Sequence, residues 1–235
     1  MNVSSPLLLV AVLVLLVACQ PRPARHEPVQ ADEFDISNVV KSDGDMVVEI
    51  NLRHSRRYLR EFARKLYKRN PNQLRRGGHA SHDAALDALF GPRRRASYPG
   101  LRGKRSAQAI GLAFDEGFDG DRVAAFIEGM RTMLADAYDG KDAFYIYDVL
   151  DPQKIYYLAR NFEIAFWKLR HNRDTYGQLF LLSNSTNGGG NLSFERLAGK
   201  LIALQDLMAK VVADGSNRQI KNVIQRVTSV VFFPI

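Results

Sequence analysis

Apolar residues recur three and four positions apart over most of the chain, and this spacing places them on one face of an α-helix. In residues 121–138, for example, Val123, Phe126 and Met130 follow this period. The period also predicts helices at 46–69, 83–90, 107–114, 152–171, 194–213 and 217–229. The apolar stretch 144–150 fits either a strand or a buried connector. The pattern therefore predicts an all-α, single-domain bundle of about six or seven helices.

Residues that start or stop helices stand at the edges of these stretches. Asn70-Pro71 ends the first helix, Gly140 ends the helix over 121–138, and Asp151-Pro152 starts the next one. Between 70 and 105 the chain is rich in glycine, proline and arginine, which predicts a basic, loop-rich segment around the short helix at 83–90. We therefore expect a helical domain over 45–235 that contains this segment.

The N-terminus carries an unbroken apolar run, residues 7–18, that ends at Cys19. The run is shorter than the roughly 20 residues that span a bilayer, but it fits the apolar region of a secretory signal. Residues 16–19, Leu-Val-Ala-Cys, resemble the lipobox of bacterial lipoproteins. The resemblance covers residues 1–20 and implies that 1–18 is a cleaved signal peptide and that Cys19 carries acyl chains such as palmitate.

The resemblance also implies a location. Residues 20–44 are rich in proline and polar side chains without apolar periodicity, so we expect 19–44 to be a lipidated, flexible and disordered tether. Lipoproteins that stay on the inner membrane often carry aspartate after the acylated cysteine, whereas this chain has Gln20. An outer-membrane lipoprotein on the periplasmic face is therefore expected. The alternatives are an ordinary signal peptide and an anchor that is never cleaved.

The net charge of +8 is unevenly distributed. Residues 53–105 contain sixteen bases and three acids, or +13, while the rest contains seventeen bases and twenty-two acids, or −5. The cationic side chains that share one face of the first helix are Arg53, Arg56, Arg57, Arg60, Arg64 and Lys68. This basic face predicts an anionic envelope partner, such as a lipid phosphate, peptidoglycan or an acidic protein, and not nucleic acid. A solvated surface without a partner is the alternative.

Polar residues also interrupt two apolar faces. Gln205 lies on the apolar face of 194–213, and Glu163 lies near Trp167 on 152–171, with Arg160 as a candidate partner. These residues are candidates for an interhelical pocket formed by Glu163, Trp167 and Gln205 with Asn161. Buried polar groups more often serve as hydrogen-bonded structural links than as ligand contacts. Both interpretations are kept here.

Motifs for catalysis and metal binding are absent. The sequence has no Gly-x-Ser-x-Gly, no phosphate-binding loop and no dinucleotide fingerprint. His79, His82 and Asp83 would make only half of a zinc site. The acids at 115–121 are interpreted as helix caps. We therefore expect no cofactor, no metal and no catalytic residue.

Three function classes follow from these observations. A non-enzymatic interaction or structural protein that uses the basic face is favoured. A carrier of a lipid or small ligand in an interhelical pocket is the alternative, and a hydrolase of envelope polymers is the weakest of the three. The sequence thus argues against an enzyme while leaving that question open.

Overall fold

The computed structural model of the chain describes residues 35–92, 98–183 and 192–231. The described residues from Ser37 onward form one compact unit. Within the described residues the structure is all-α, with seven α-helices and no strand. The helices are α1 Asp43–Arg69, α2 Pro71–Arg76, α3 His82–Phe90, α4 Ser106–Ala113, α5 Arg122–Ala137, α6 Pro152–His171 and α7 Ser193–Val231. The predicted helical bundle is therefore confirmed.

Local sequence signals account for the helix boundaries. Ser42 and Asp45 form a capping box, in which each side chain accepts the backbone N–H of the other residue at 2.8 and 3.2 Å. At the other end of α1, Asn70 caps the helix and Pro71 starts α2. The Asp151 side chain caps α6 by accepting from the Gln153 amide at 2.8 Å. Each of these signals acts within a few residues.

The core lies where the long helices meet. α1 packs against α7, α5, α3 and α2, while α4 pairs closely with α5 and α6 with α7. The ring of Phe62 on α1 lies 5.1 to 6.3 Å, between centroids, from one phenylalanine on each of three other helices: Phe126, Phe166 and Phe194. This aromatic cluster joins four helices, because each contributes one ring.

α4 and α5 pack closely together, and this contact depends on Gly129. A Cβ atom at this position would lie 2.5 Å from Ile110 Cγ1 and 2.7 Å from the carbonyl oxygen of Ser106. Only glycine therefore permits the two helices to approach this closely. This contact fixes the position of α5, whose N-terminal end carries residues of the site described below.

The folded body begins earlier than the sequence predicts. The tether was expected to run to residue 44, yet a 3-10 helix covers Ile36–Val40 and α1 begins at Asp43. The Lys41 ammonium also binds Glu49 of α1, at 2.9 Å. Ser42 has the composition of a tether residue, but it is a helix cap. The signal segment, Cys19 and the tether up to residue 34 lie outside the described residues.

Three further predictions are corrected inside the domain. The helices expected at 194–213 and 217–229 form one helix, α7, because Gly215 weakens a helix by only about 1 kcal/mol. The helix α2 lies within the segment predicted to be loop-rich. Of the two alternatives for 144–150, no strand forms: the stretch is a connector with one turn, at 146–147, and it is buried only at Phe144 and Leu150 instead of along its length.

None of the described helices is both long enough and apolar enough to cross a membrane.

Candidate functional site

The candidate interhelical pocket, one of the two interpretations of the polar residues on apolar faces, does not form. Gln205 is fully buried, whereas Trp167 is 58% exposed and the Glu163 side chain 44% exposed. The predicted grouping of Glu163, Trp167 and Gln205 is therefore wrong. The reason is that α6 buries one side only and leaves Tyr156, Ile164 and Trp167 exposed on its outer side. Arg160 does pair with Glu163, at 3.2 Å, as expected, and its guanidinium also binds Asp206 at 2.8 Å.

Gln205 belongs instead to a buried ring of hydrogen bonds. Its Nε2 donates to Ser55 Oγ at 2.7 Å, and its Oε1 accepts from the Tyr138 hydroxyl at 2.8 Å. Asn51 closes the ring by donating to the Tyr138 hydroxyl at 3.0 Å and accepting from Ser55 at 3.5 Å. All four side chains are buried and satisfied, so this ring is a structural link between α1, α7 and the end of α5.

The basic face is partly neutralised by acids of the same chain. Arg56 pairs with Asp142, Arg60 with Asp87 at 3.0 Å, and Arg64 with Asp83 at 3.3 Å. These pairs are solvent-exposed, so each contributes about 1 kcal/mol or less to stability.

The remaining cations of the basic face lie on the exposed side of α1. Arg57 lies 5.4 Å from the ring centroid of Tyr58 and contacts His54, while Arg53 and Lys68 are exposed. Three of the six cations of the basic face therefore form ion pairs within the chain. These pairs weaken the case for an anionic partner at this surface.

A cavity of about 490 Å³ lies at the junction of α2, α3 and α5. Its walls include the apolar side chains of Ala88, Leu101 and Phe118. One end is polar, formed by His79, Tyr98 and Asp121. We call this cavity the tyrosine pocket, after Tyr98 in its wall and Tyr67 behind it.

A chain of hydrogen bonds forms the polar end of the tyrosine pocket. Tyr67 is fully buried and donates its hydroxyl to Asp121 Oδ2 at 2.7 Å. The Tyr98 hydroxyl bonds to that of Tyr67 and lies 2.5 Å from His79 Nε2. Asp121 Oδ1 accepts from the Ala124 amide at 2.9 Å, as the interpretation of Asp121 as a helix cap requires. The half-buried histidine is thereby connected to a buried carboxylate through two tyrosines.

Burial shifts the proton affinities of this chain. It raises the pKa of Asp121 to about 6, although hydrogen bonds from the Ala124 amide and Tyr67 oppose the shift. Burial also raises the pKa of Tyr67 and Tyr98 and lowers that of His79. The group that changes charge near neutral pH is therefore a carboxyl at the end of an apolar cavity. A buried carboxyl with a raised pKa in the wall of a cavity marks a candidate functional site.

Gly77 holds the site together at the end of α2. A Cβ atom there would lie 2.7 Å from Asp121 Oδ2 and 2.7 Å from the His79 ring. A larger residue would displace one of these two groups, so the close approach of the backbone is needed for this geometry.

The sequence contains only weak signals for this site. Asp121 was interpreted as a cap alone, and His79 as half of a zinc site. Tyr67 and Tyr98 were not candidates, since aromatic residues on a helix face or in a loop have no distinctive spacing. In the parts of the chain that the structure describes, no three histidine, cysteine, aspartate or glutamate side chains group as metal ligands.

We expect Asp121→Asn to stabilise the protein at pH 7 and to leave its stability unchanged near pH 4. The folded-state pKa of about 6 lies above the ordinary value of 3.8, so the folded protein holds this proton more tightly. The stability that the proton contributes is complete below pH 4 and is lost as the pH rises through 6. The difference at pH 7 is about 2 to 3 kcal/mol.

Urea unfolding of the Asp121→Asn variant and wild type between pH 4 and 7 measures this effect. Exposed Asp119, two residues away, is the matched control, and Asp119→Asn should change stability by less than about 0.5 kcal/mol. A difference between Asp121→Asn and wild type that stays constant over this range would show that Asp121 keeps its charge throughout.

Comparison of the chain with protein-family models, with curated proteins and with solved structures finds no match.

Proposed function

We propose that this chain is a lipid-anchored protein of the bacterial envelope whose helical body binds a small ligand in the tyrosine pocket. The anchor is proposed on the apolar run 7–18 and the Leu-Val-Ala-Cys at 16–19. Acylated Cys19 would hold the body at the periplasmic face of the outer membrane. Two or three acyl chains suffice for stable attachment, whereas one chain binds marginally.

The observation that carries ligand binding is the tyrosine pocket itself. Its volume of about 490 Å³ falls within the range of small-molecule sites. Its walls are largely apolar, and the hydrogen-bonding groups converge at one end. This combination lets apolar contacts provide affinity while Tyr98 and His79 select the polar group of the ligand.

The geometry favours a particular class of ligand. An apolar ring or short chain fits against Ala88, Leu101 and Phe118. A hydroxyl or amide group suits the polar end, because the Tyr98 hydroxyl both donates and accepts and the carboxyl of Asp121 lies behind it. Binding without chemical conversion is proposed. The basic face is weaker support for a binding function, because three of its arginines form ion pairs with carboxylates of the same chain.

The test fills the tyrosine pocket with a larger side chain. Ala88 lies half-buried in the pocket wall on α3, so the indole in Ala88→Trp would occupy the cavity. Ala84 lies one turn earlier on α3, exposed and outside the pocket, and Ala84→Trp is therefore the matched control. The probe is p-cresol, an apolar ring with one hydroxyl, observed by saturation-transfer NMR on the full chain in deuterated detergent.

We expect p-cresol to bind wild type and Ala84→Trp alike, and to bind Ala88→Trp about tenfold more weakly or worse. Thermal unfolding of both variants shows whether each remains folded. Any compound that copurifies with wild type, seen by mass spectrometry, should be missing from Ala88→Trp. Equal p-cresol binding by folded Ala88→Trp and by the control would refute a ligand role for this pocket.

A further inference from the structure

A second cavity, of about 1020 Å³, lies between the α1–α2 corner, the start of α5 and the segment 173–182. Four arginines from three separate parts of the chain line it, and we call it the arginine groove. They are Arg69, Arg76, Arg122 and Arg173. Neither the basic face nor the tyrosine pocket accounts for this cavity, although Arg76 lines both cavities.

The acids of the arginine groove do not cancel this charge. Glu116 and Asp174 are its carboxylates, so its lining carries a net charge of +2. Glu116 accepts the Thr175 amide at 2.7 Å, and Asp174 accepts the amides of Tyr176 and Gln178 at 3.0 and 2.8 Å. Both carboxylates therefore hold the backbone of the wall.

Arg122 places a positive charge at a fixed position in the lining of the arginine groove. It is 7% exposed, and its Nη1 donates to the carbonyl oxygens of Ala113 and Asp115 at 3.1 and 2.7 Å. Its guanidinium lies 4.9 Å from the ring centroid of Phe180. Carbonyl oxygens and an aromatic ring orient the cation without neutralising its charge. Burial and the positive charge of Arg76 lower the pKa of Arg122, while nearby carboxylates, Asp115 first among them, oppose this shift.

Arg76 places a second, exposed guanidinium in the lining of the arginine groove. Its side chain is exposed and makes no hydrogen bond or ion pair within the described residues. By contrast, neighbouring Arg75 binds Asn72 at 2.5 Å and does not line the cavity. A guanidinium with no partner of its own, beside one that is fixed, suits a ligand with several anionic oxygens.

We propose that the arginine groove binds the phosphate group of an anionic ligand. Planar guanidinium groups match phosphate oxygens in pairs, and several such groups around one cavity give both charge and geometry. The groove is much larger than a phosphate ion, so it has room for the rest of a phosphate-bearing molecule. That phosphate comes either from a lipid headgroup or from free phosphate. The proposal does not rest on ligand binding in the tyrosine pocket, although Arg76 lines both cavities.

Two probes on the full chain in non-ionic detergent distinguish the sources. Calorimetry measures inorganic phosphate binding. Native mass spectrometry measures adducts with dipalmitoyl phosphatidate and, as the uncharged comparison, with dipalmitoyl glycerol. The variants are Arg76→Glu and Arg173→Gln, with Arg75→Glu as the matched control that changes the same charge next to the groove. Melting temperatures verify that the variants fold. Arg173 does not line the tyrosine pocket, so p-cresol binding by Arg173→Gln reports separately on that pocket.

We expect wild type and Arg75→Glu to bind at least one phosphate probe, and Arg76→Glu and Arg173→Gln to bind it about tenfold more weakly. Phosphatidate adducts without glycerolipid adducts would identify a lipid headgroup, whereas arginine-dependent binding of inorganic phosphate alone would identify free phosphate. Rising salt should weaken either interaction. The proposal is overturned if wild type binds neither probe, or if folded Arg76→Glu and Arg173→Gln bind as wild type does.

Discussion

Replacing Cys19 by alanine is expected to abolish membrane attachment and acylation of the protein. Cys19 is the single cysteine of the chain and directly follows the apolar run 7–18, so no other thiol can receive a lipid. Each methylene of an acyl chain buried in the bilayer contributes about 0.8 kcal/mol to membrane binding. Without these chains the protein loses its proposed membrane anchor. Intact mass and membrane fractionation of wild type and Cys19→Ala measure both effects.

The same experiment separates the alternatives for the N-terminus. An ordinary signal peptide would leave both proteins cleaved, without acyl mass and free of the membrane. An anchor that is never cleaved would keep both in the membrane at full length. Either result would remove the lipoprotein proposal while leaving ligand binding in the tyrosine pocket open. If the proposal holds, separating the inner and outer membranes shows whether the protein is located in the outer membrane, as Gln20 predicts.

Gln205→Leu is expected to lower the free energy of unfolding by about 2 to 4 kcal/mol. Leucine has a similar volume but cannot bond to Ser55 or Tyr138, which are both fully buried. The Tyr138 hydroxyl would lose its acceptor and the Ser55 hydroxyl would lose its donor. Each unsatisfied buried group costs about 1 to 3 kcal/mol. Urea unfolding followed by circular dichroism measures the loss.

Glu163→Leu is the matched control, because the sequence pattern had grouped Glu163 with Gln205. The Glu163 side chain is exposed and its ion pair with Arg160 lies at the surface. We therefore expect a change below about 1 kcal/mol. Similar losses in the two variants would contradict the structural distinction between a buried link and a surface pair.

Helix positions were the most predictable part of the fold. The helix at 152–171 was predicted with its observed ends, since Asp151 and Pro152 act on the adjacent backbone. Signals of this kind operate within one turn and do not need the rest of the protein. The start of α1 was misplaced because Ser42 was interpreted as part of a linker. A cap and a linker residue have the same composition, and only the neighbouring backbone distinguishes them.

The candidate sites were much less predictable. Asp121 is 54 positions from Tyr67, its hydrogen-bond partner, and Tyr98 is 19 from His79. No period or spacing relates residues so far apart. Polar residues on apolar helix faces made Glu163, Trp167 and Gln205 candidates for one pocket. In the folded protein only Gln205 lies in the core. Charge counting found the basic face without showing that Asp83 and Asp87 return to pair with it.

The sequence by itself determined the all-α class, most helix ends and the proposed export signal, because periodicity, capping and apolar runs are local properties of the chain. The tertiary structure alone decided which face of each helix is buried and which arginines form ion pairs within the chain. It also decided how the tyrosine pocket and the arginine groove form. The physical reason is that burial and hydrogen-bond partners depend on how distant segments pack. Asp121 shows this most clearly: its capping role follows from the adjacent sequence, whereas its raised pKa arises from the burial imposed by packing.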